Sequence, residues 1–204
     1  MDLIVIRHGQ SVGNTFPDDV DVPDSPLTKL GMEQAQFAKE CLKNSGIDCI
    51  ISSPLIRAIT TAQPLANELN LPINVWLNTH EVRSHPSHRG HTKEYLLNNY
   101  PEICFHEKVD EEGWFYLGEE TGEHAMIRTK QVVEQLLAKY SGKRVALFAH
   151  GGFNSFLLLS TLGMDYRKPS RFRQNNTTFC WLSFREDETM VNYFGEMQKI
   201  NWSS

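Results

Sequence analysis

The sequence has little cysteine, no long apolar run and no excess of positive charge. It holds no CxxC pair, which argues against a disulfide framework or a zinc cluster, and its cysteines are Cys41, Cys49, Cys104 and Cys180. Three of them lie in apolar surroundings, so we expect buried free thiols and a reducing compartment. No apolar run approaches membrane-spanning length, and no basic stretch followed by an apolar leader opens the chain. These features predict a cytoplasmic protein without a membrane partner.

The net charge of −5 argues against a general binder of nucleic acids or other polyanions. Any anion site must therefore be local. The chain has 204 residues, of which 40% are hydrophobic and 22% are charged, as is ordinary for one globular domain with its own core. We expect a single domain over residues 1–204.

Apolar patterns of two lengths alternate along the chain. Short runs typical of strands occur at 3–6, 49–51, 73–76, 145–148, 179–182 and 190–194. Helical patterns begin near Thr28, at Ser53-Pro54, after Thr121 and near Gly152. In the second of these, we expect Ser53 to be the N-cap and Pro54 the first helical residue. Alternating strands and helices predict right-handed crossovers and a three-layer α/β/α fold around a mostly parallel sheet.

Residues 82–120 interrupt this alternation. The segment is long, polar and mixed in composition. Segments of this length are usually functional, so we predict a lid or insertion over the active site, with a short helix near 93–100.

Polar side chains follow four of the predicted segments. Arg7-His8-Gly9 comes after the first strand, Ser52-Ser53-Pro54 leads to Arg57, His80-Glu81 comes after the third strand, and His150-Gly151-Gly152 follows the fourth. The carboxyl ends of parallel strands share one edge of a sheet, so these groups should meet in one crevice.

Two arginines, two histidines and a carboxylate suit phosphoryl transfer. Guanidinium forks match the geometry of phosphoryl oxygens, and the helices predicted after Ser53 and near Gly152 should point free N–H groups at an anion. The same set does not suit zinc, because Arg7 next to His8 would repel a cation. We predict no metal and no cofactor.

These motifs together resemble the histidine phosphatase superfamily, which includes phosphoglycerate mutases and many small phosphatases. The resemblance covers nearly the whole chain and includes Arg7-His8-Gly9-Gln10-Ser11 with Asn14, Leu27-Thr28-Lys29-Leu30-Gly31 with Gln34-Ala35, Ser52 to Ala58 with Thr61-Ala62, Glu81, and Ala149-His150-Gly151-Gly152. It implies that His8 is the nucleophile and forms a phosphohistidine. It further implies that Arg7, Arg57 and His150 clamp the phosphoryl group, with Asn14 in the same pocket, and that Glu81 is the general acid and base. We count Gly151 among the phosphate-binding residues because it lets the backbone approach closely.

Some assignments have alternatives. Val82-Arg83-Ser84-His85 after Glu81 departs from the pattern of many mutases, so His80 or His85 is an alternative acid. Arg83, His85 and Arg89 belong to a basic run that is either a lip for an anionic substrate or solvated surface. The acidic residues around 110–123 are expected to be solvated. Asn175-Asn176-Thr177 falls where the family that the chain resembles often has an Asn-containing loop near the site, and an ordinary turn is the favoured alternative.

The leading prediction is a phosphatase that acts on a small phosphorylated metabolite. The first alternative is a cofactor-dependent phosphoglycerate mutase, which is less favoured because the mutases that the chain resembles are longer. The second alternative is a catalytically silent protein that binds phosphorylated ligands. An edge strand at 190–194 would allow a homodimer.

Overall fold

A central sheet of seven strands organises the protein. The structure, a computed structural model, describes residues 1–15, 24–82, 87–105, 108–109, 115–168, 172–186 and 188–197, without the side chains of 87–89 and 115–117. The strands of the central sheet are β1 (Asp2–Arg7), β2 (Cys49–Ser52), β3 (Ile73–Val75), β5 (Ile103–Phe105), β7 (Arg144–Ala149), β8 (Phe179–Phe184) and β9 (Thr189–Gly195). Two short strands, β4 (Ser87–Arg89) and β6 (Phe115–Leu117), form a separate antiparallel pair.

The strand order is β5-β3-β2-β7-β1-β8-β9. The first five strands are parallel to one another, and β8 is antiparallel to both of its neighbours. The predicted mostly parallel sheet is thus confirmed. Strand β9 lies at one edge, where the sequence analysis placed an edge strand.

Six helices are found within the described residues. They are α1 (Val12–Thr15), α2 (Lys29–Leu42), α3 (Ile56–Leu69), α4 (Lys93–Asn99), α5 (Gly122–Lys139) and α6 (Gly151–Thr161), and a 3-10 turn spans Leu77–Thr79. None of the described helices is long and apolar enough to cross a membrane.

The side chains of the sheet alternate between two cores. Ile4 and Ile6 of β1 pack with α2 and α3, whereas Leu3 and Val5 pack with α5 and α6. This two-residue period is that of a strand covered on both faces, and it produces the three-layer α/β/α arrangement. All four cysteines are free; Cys104 is exposed and the other three are buried.

Helix α3 begins later than the sequence pattern indicated. Ser53 was expected to be its N-cap, but the hydroxyl of Ser53 accepts a hydrogen bond from Leu55 N–H at 3.3 Å, and the helix begins at Ile56. The N–H of Ile56 donates to both carboxylate oxygens of Asp24, at 2.9 and 3.1 Å. A residue distant in sequence therefore caps this helix, and local spacing could not reveal it.

The segment 82–120 contains more than the expected short helix. Helix α4 is present, with Thr92 accepting from Tyr95 N–H as its N-cap. Strand β5 adds an edge to the central sheet beside β3, so part of the segment belongs to the core. Strands of three residues carry too little periodicity to be recognised from sequence.

Candidate active site

His8 lies at the carboxyl end of β1 and is 2% exposed. Its Nδ1 is 2.6 Å from the carbonyl oxygen of Gly9. Because a carbonyl only accepts hydrogen bonds, Nδ1 carries the proton and Nε2 keeps its lone pair. Burial lowers the pKa of His8 well below its usual value, and Arg57 and Arg7 lower it further. The imidazole is therefore neutral, as a nucleophile requires.

Helix α2 holds the loop that carries His8. Thr28 caps the helix by accepting from Gly31 N–H at 3.1 Å, and its hydroxyl also donates to the side chain of Gln10. The side chain of Gln34 accepts from Gln10 N–H at 2.8 Å. A Cβ at Gly9 would lie 2.6 Å from the carbonyl oxygen of Gly31, and a Cβ at Gly31 would overlap the carbonyl of Gln10. These contacts explain the spacing of Thr28, Gly31 and Gln34 in the sequence.

Helix α3 brings Arg57 to the same place. The hydroxyl of Thr61 donates to the carbonyl of Arg57 at 2.6 Å and accepts from Gly9 N–H at 3.0 Å, which joins α3 to the His8 loop. Arg57 is 9% exposed, and its Nη1 is 3.7 Å from Asp24. Burial raises the pKa of Asp24 to about 7, although Arg57 and Ile56 N–H act in the opposite direction. Sequence analysis did not single out Asp24.

His150 follows β7 and is completely buried. Its ring centroid is 5.2 Å from that of His8, and its Nε2 is 2.7 Å from the hydroxyl of Ser53. Burial lowers the pKa of His150 well below its usual value, and Arg57 adds to this effect. Among the described residues, Nδ1 of His150 has no hydrogen-bond partner.

Arg7 points into the same space. Its Nη1 donates to the carbonyl of Gln174 at 2.5 Å, whereas its buried Nε has no acceptor among the described residues. Gln174 is itself held by Asn154 of α6, whose amide donates to Oε1 of Gln174 at 2.8 Å. A Cβ at Gly151 would lie 3.4 Å from Nε of Arg7, an ordinary van der Waals distance, so Gly151 lies directly beside the guanidinium.

Glu81 caps the N-terminus of α6. Its Oε1 accepts from Val82 N–H and Phe153 N–H, both at 2.8 Å, and its Oε2 accepts from Gly152 N–H at 3.2 Å. The N–H groups of α6 that we expected to be free for an anion are therefore partly occupied. A Cβ at Gly152 would lie 2.6 Å from Oε1, so glycine is required for this approach. Burial lowers the pKa values of Arg7 and Arg57, and the charge of Glu81 acts in the opposite direction on both, which places it close to the two arginines.

The turn at 175–177 supports the His8 loop and is more than a plain connection. The side-chain amide of Asn176 donates to the carbonyl of His8 at 3.0 Å and to Oδ1 of Asn14 at 3.1 Å. Oδ1 of Asn14 also accepts from Ser11 N–H at 3.2 Å. Thr177, with φ of 56°, donates its N–H to the carbonyl of Arg7 at 3.0 Å. Asn176 thus links Asn14 to the backbone of the His8 loop.

The other candidates have different outcomes. His80 is 3% exposed, and its Nδ1 donates to the carbonyl of Glu81 at 2.7 Å. It lowers the pKa of His150, so it also lies near the site. Arg83 and His85 lie outside the described residues, and of Arg89 only the backbone in β4 is described.

The expectation that the acidic residues around 110–123 are all solvated was wrong for Glu120. Its side chain is 2% exposed and forms an ion pair of 2.7 Å with Arg128 of α5. Arg128 was also missed, although a signal existed. It lies three residues after Ala125 and four before Val132, both buried, so a charged residue stood on the apolar face of the helix.

The arrangement is suited to bind and attack an electrophile that carries negative charge. The neutral imidazole of His8 lies near the buried Arg57, the partly buried Arg7 and a second imidazole, that of His150. Nε of Arg7 and Nδ1 of His150 lack partners within the described structure. In the part of the chain that the structure describes, no group of three or more histidine, cysteine, aspartate or glutamate side chains could hold a metal ion.

Comparisons with known proteins find both a phosphatase and a phosphoglycerate mutase-like protein. The chain is 29% identical to the uncharacterized phosphatase PhoE of Bacillus subtilis, over 93% of this chain and 91% of that protein. It is 25% identical to the probable phosphoglycerate mutase GpmB of Yersinia enterocolitica, over 94% of this chain and 89% of that protein. Because most of that mutase-like relative is matched, chain length does not separate mutases from phosphatases here.

A solved phosphatase structure matches this fold over nearly the whole chain. The crystal structure of a phosphoserine phosphatase from Entamoeba histolytica in complex with 3-phosphoglyceric acid has a TM-score of 0.71 and 25% identity, over 97% of this chain and 98% of that one. The family model of the histidine phosphatase superfamily (branch 1) matches residues 3–196. The chain therefore belongs to the histidine phosphatase superfamily.

Proposed function

We propose that the protein hydrolyses a small phosphorylated metabolite through a phosphohistidine formed on His8. The observation that carries this proposal is the hydrogen bond from Nδ1 of His8 to the carbonyl of Gly9, which leaves Nε2 unprotonated between two arginines. The similarity to phosphatases over nearly the whole chain supports hydrolysis as the outcome.

In the first step, the lone pair of Nε2 forms a bond to phosphorus and the bond from phosphorus to the ester oxygen breaks. The leaving oxygen keeps the electron pair of that bond and takes a proton from the carboxyl group of Glu81, so the alcohol departs neutral. Oε2 of Glu81 is the oxygen suited to this proton, because it accepts one hydrogen bond from the described residues, at 3.2 Å, whereas Oε1 accepts two, both at 2.8 Å.

In the second step, Glu81 accepts a proton from water while the water oxygen bonds to phosphorus. The bond from phosphorus to Nε2 breaks and its electron pair returns to the ring. Inorganic phosphate leaves, and both His8 and Glu81 regain their starting forms. His80, which lies beside Glu81, remains the alternative donor.

The remaining site residues bind the transferring group in this proposal. Arg7 and Arg57 supply guanidinium groups to the equatorial oxygens, where negative charge is concentrated in the transition state. His150, with its unpartnered Nδ1, and Asn14 complete the pocket. Gly151 lies beside the guanidinium of Arg7, where its small size lets the backbone approach the phosphoryl group.

The wider features of the prediction belong to the same proposal. Residues 1–204 act as one domain, and segment 82–120, with the lip of Arg83, His85 and Arg89, covers the site. The substrate is a small phosphorylated acid, because the phosphoserine phosphatase that this chain resembles was crystallised with 3-phosphoglyceric acid. A cytoplasmic location is supported by the four free thiols.

A screen for phosphate release tests the proposal. Purified protein is incubated with phosphoserine, phosphoglycerates, sugar phosphates and nucleotides, and His8→Ala is the control. We expect phosphate release from at least one small phosphorylated acid, and an acid-labile phosphoprotein that His8→Ala does not form. Interconversion of 3- and 2-phosphoglycerate faster than phosphate release would instead establish a mutase. Neither activity across the whole panel would favour a silent binding protein.

A further inference from the structure

Arg128 of α5 makes an unusually complete set of contacts outside the catalytic residues. Its Nε and Nη2 each donate to one carboxylate oxygen of Glu120 at 2.7 Å, which fixes the guanidinium plane. Its Nη1 donates to the carbonyls of Asn78 and His80, at 2.8 and 3.0 Å. The side chain of Arg128 is only 13% exposed, so these bonds are little weakened by solvent.

The contacts of Arg128 flank Glu81 on both sides. The His80 carbonyl belongs to the residue directly before Glu81. On the other side, the guanidinium carbon of Arg128 lies 5.2 Å from the ring centroid of Phe153, and Phe153 N–H donates to Oε1 of Glu81. One guanidinium group therefore contacts both the segment that carries Glu81 and the helix end that receives its carboxylate.

We propose that Arg128, held by Glu120, is a positioning residue that sets the place of the Glu81 carboxyl group for proton transfer. This inference rests on the proposed function, in which Glu81 donates a proton to the leaving oxygen. Glu120 is the last residue of segment 82–120, so Arg128 also joins the end of this segment to the residue before Glu81.

A positioning role predicts a defect that depends on the leaving group. An activated aryl ester such as dinitrophenyl phosphate loses a stable phenolate that needs no proton, whereas phenyl phosphate benefits from protonation as its bond breaks. Displacing the carboxyl group of Glu81 should therefore lower kcat/KM for phenyl phosphate much more than kcat/KM for dinitrophenyl phosphate. The value of kcat/KM is the suitable measurement, because it reports the steps up to transfer onto His8 and excludes later hydrolysis.

The chain contains a closely matched control in Arg144, at the start of β7. Its Nε and Nη2 donate to Asp2 at 3.3 and 3.1 Å, its Nη1 donates to the carbonyl of Ser45, and its guanidinium carbon lies 5.3 Å from the ring of Trp181. The side chain is 20% exposed. Arg144 is the first residue of β7, and His150 follows the last. At the usual rise per residue, Arg144 therefore lies about 20 Å from His150.

The experiment compares Arg128→Lys, Arg144→Lys and Glu81→Gln on the two esters. Lysine keeps the charge opposite Glu120 but lacks the fork that reaches the carboxylate and both carbonyls together. A double variant, Glu120→Gln with Arg128→Met, leaves no unpaired charge in the interior and is measured if the lysine variant is poorly folded. Thermal unfolding of each variant is recorded alongside the kinetics.

We expect Arg128→Lys to lower kcat/KM for phenyl phosphate about 10–100-fold, and that for dinitrophenyl phosphate less than about 3-fold. Glu81→Gln should show the same selectivity more strongly, and Arg144→Lys should show none at a similar loss of melting temperature. If the Arg128 variants lose kcat/KM equally on both esters while Glu81→Gln still slows phenyl phosphate hydrolysis more, this inference alone is overturned. Equal losses for Glu81→Gln would overturn the role of Glu81 in the proposed function as well.

Discussion

The two ends of the central sheet differ in how completely their charged and polar groups are paired. Where the strands begin, the carboxylate of Asp2 accepts from Arg144 and Arg185, both at 3.1 Å, and from Ser183 at 2.8 Å. Where the parallel strands end, Arg7 and Arg57 share a small volume with His8 and His150, and two buried nitrogens have no partner among the described residues.

This difference shows where the fold accepts a loss of stability. Each unpaired buried polar group costs about 1–3 kcal/mol, and neighbouring cations repel each other, so the carboxyl-end cluster lowers the free energy of unfolding. An anion with several oxygens would supply the missing acceptors. The paired charges at one end of the sheet favour stability, and the unpaired groups at the other end favour the proposed binding of an anion.

Substitutions of His8 and Asp2 should show the largest difference between the two ends of the sheet. His8→Ala deletes the proposed nucleophile, so kcat/KM for the best substrate should fall by about 10⁴-fold or more, while the melting temperature changes little. Asp2→Asn is the matched variant at the other end. It should lower the free energy of unfolding by about 1–2 kcal/mol in urea titrations and leave kcat/KM unchanged. An active His8→Ala protein would contradict the proposal.

Gly152→Ala should give the next largest effect. The added methyl group would lie 2.6 Å from Oε1 of Glu81 and displace the carboxyl group, so kcat/KM should fall about 10²–10⁴-fold. Gly151→Ala is the graded comparison, since its methyl group would lie 3.4 Å from Nε of Arg7. Steady-state kinetics should show the smaller loss for Gly151→Ala. The reverse order would mean that the Glu81 contact is not critical.

The pH dependence of stability should report the neutral histidines. Burial holds the pKa values of His8 and His150 well below normal, so the unfolded chain takes up protons below about pH 6.5 that the folded protein excludes. Their contribution is present above that pH and is lost as pH falls, by up to about 1.4 kcal/mol per unit for each histidine. Asp24, with a pKa of about 7, acts with the opposite sign.

His8→Gln isolates the effect, because Asp24 and the other titrating groups are present in both proteins. Urea unfolding at about pH 7.5 and about pH 5.5 should show a weaker pH dependence for the variant than for the unmodified chain. Parallel curves would show that His8 is protonated in the folded protein.

Asn176→Ala should have the smallest effect of the set. It removes the hydrogen bonds to the carbonyl of His8 and to Asn14, which are worth about 1 kcal/mol, so kcat/KM should fall roughly fivefold. Its neighbour Asn175, whose amide donates to Glu196 on the surface, supplies the control. Asn175→Ala should leave kcat/KM unchanged, and equal losses for the two variants would place the turn outside the site.

Much of the site could be predicted because it depends on strand order alone. The residues after β1 and β7 meet because these strands are parallel neighbours, with Arg7 opposite Ala149 in register. The apolar runs of both strands are long enough to recognise, and a parallel sheet brings their carboxyl ends to one edge. No side-chain detail was needed to place His8 near His150.

The features that were missed depend on contacts between distant segments. Asp24 caps α3, Asn176 supports the His8 loop, and Glu120 is buried only because Arg128 lies opposite. Composition assigned Glu120 to the surface because carboxylates are seldom buried without a partner, and the partner is eight residues away on a helix. Such pairings are properties of the packed structure.

The close approach of Gly9 and Gly31 has a consequence for binding. The backbone of Gly9 in the His8 loop packs directly against the backbone of Gly31 in α2, with no side chain between them. A backbone contact of this kind has no rotamers to choose from, so little conformational entropy remains to be lost when a ligand is bound. In the proposed reaction, the two glycines would therefore preorganise His8, and the free energy of binding would remain available to lower the barrier.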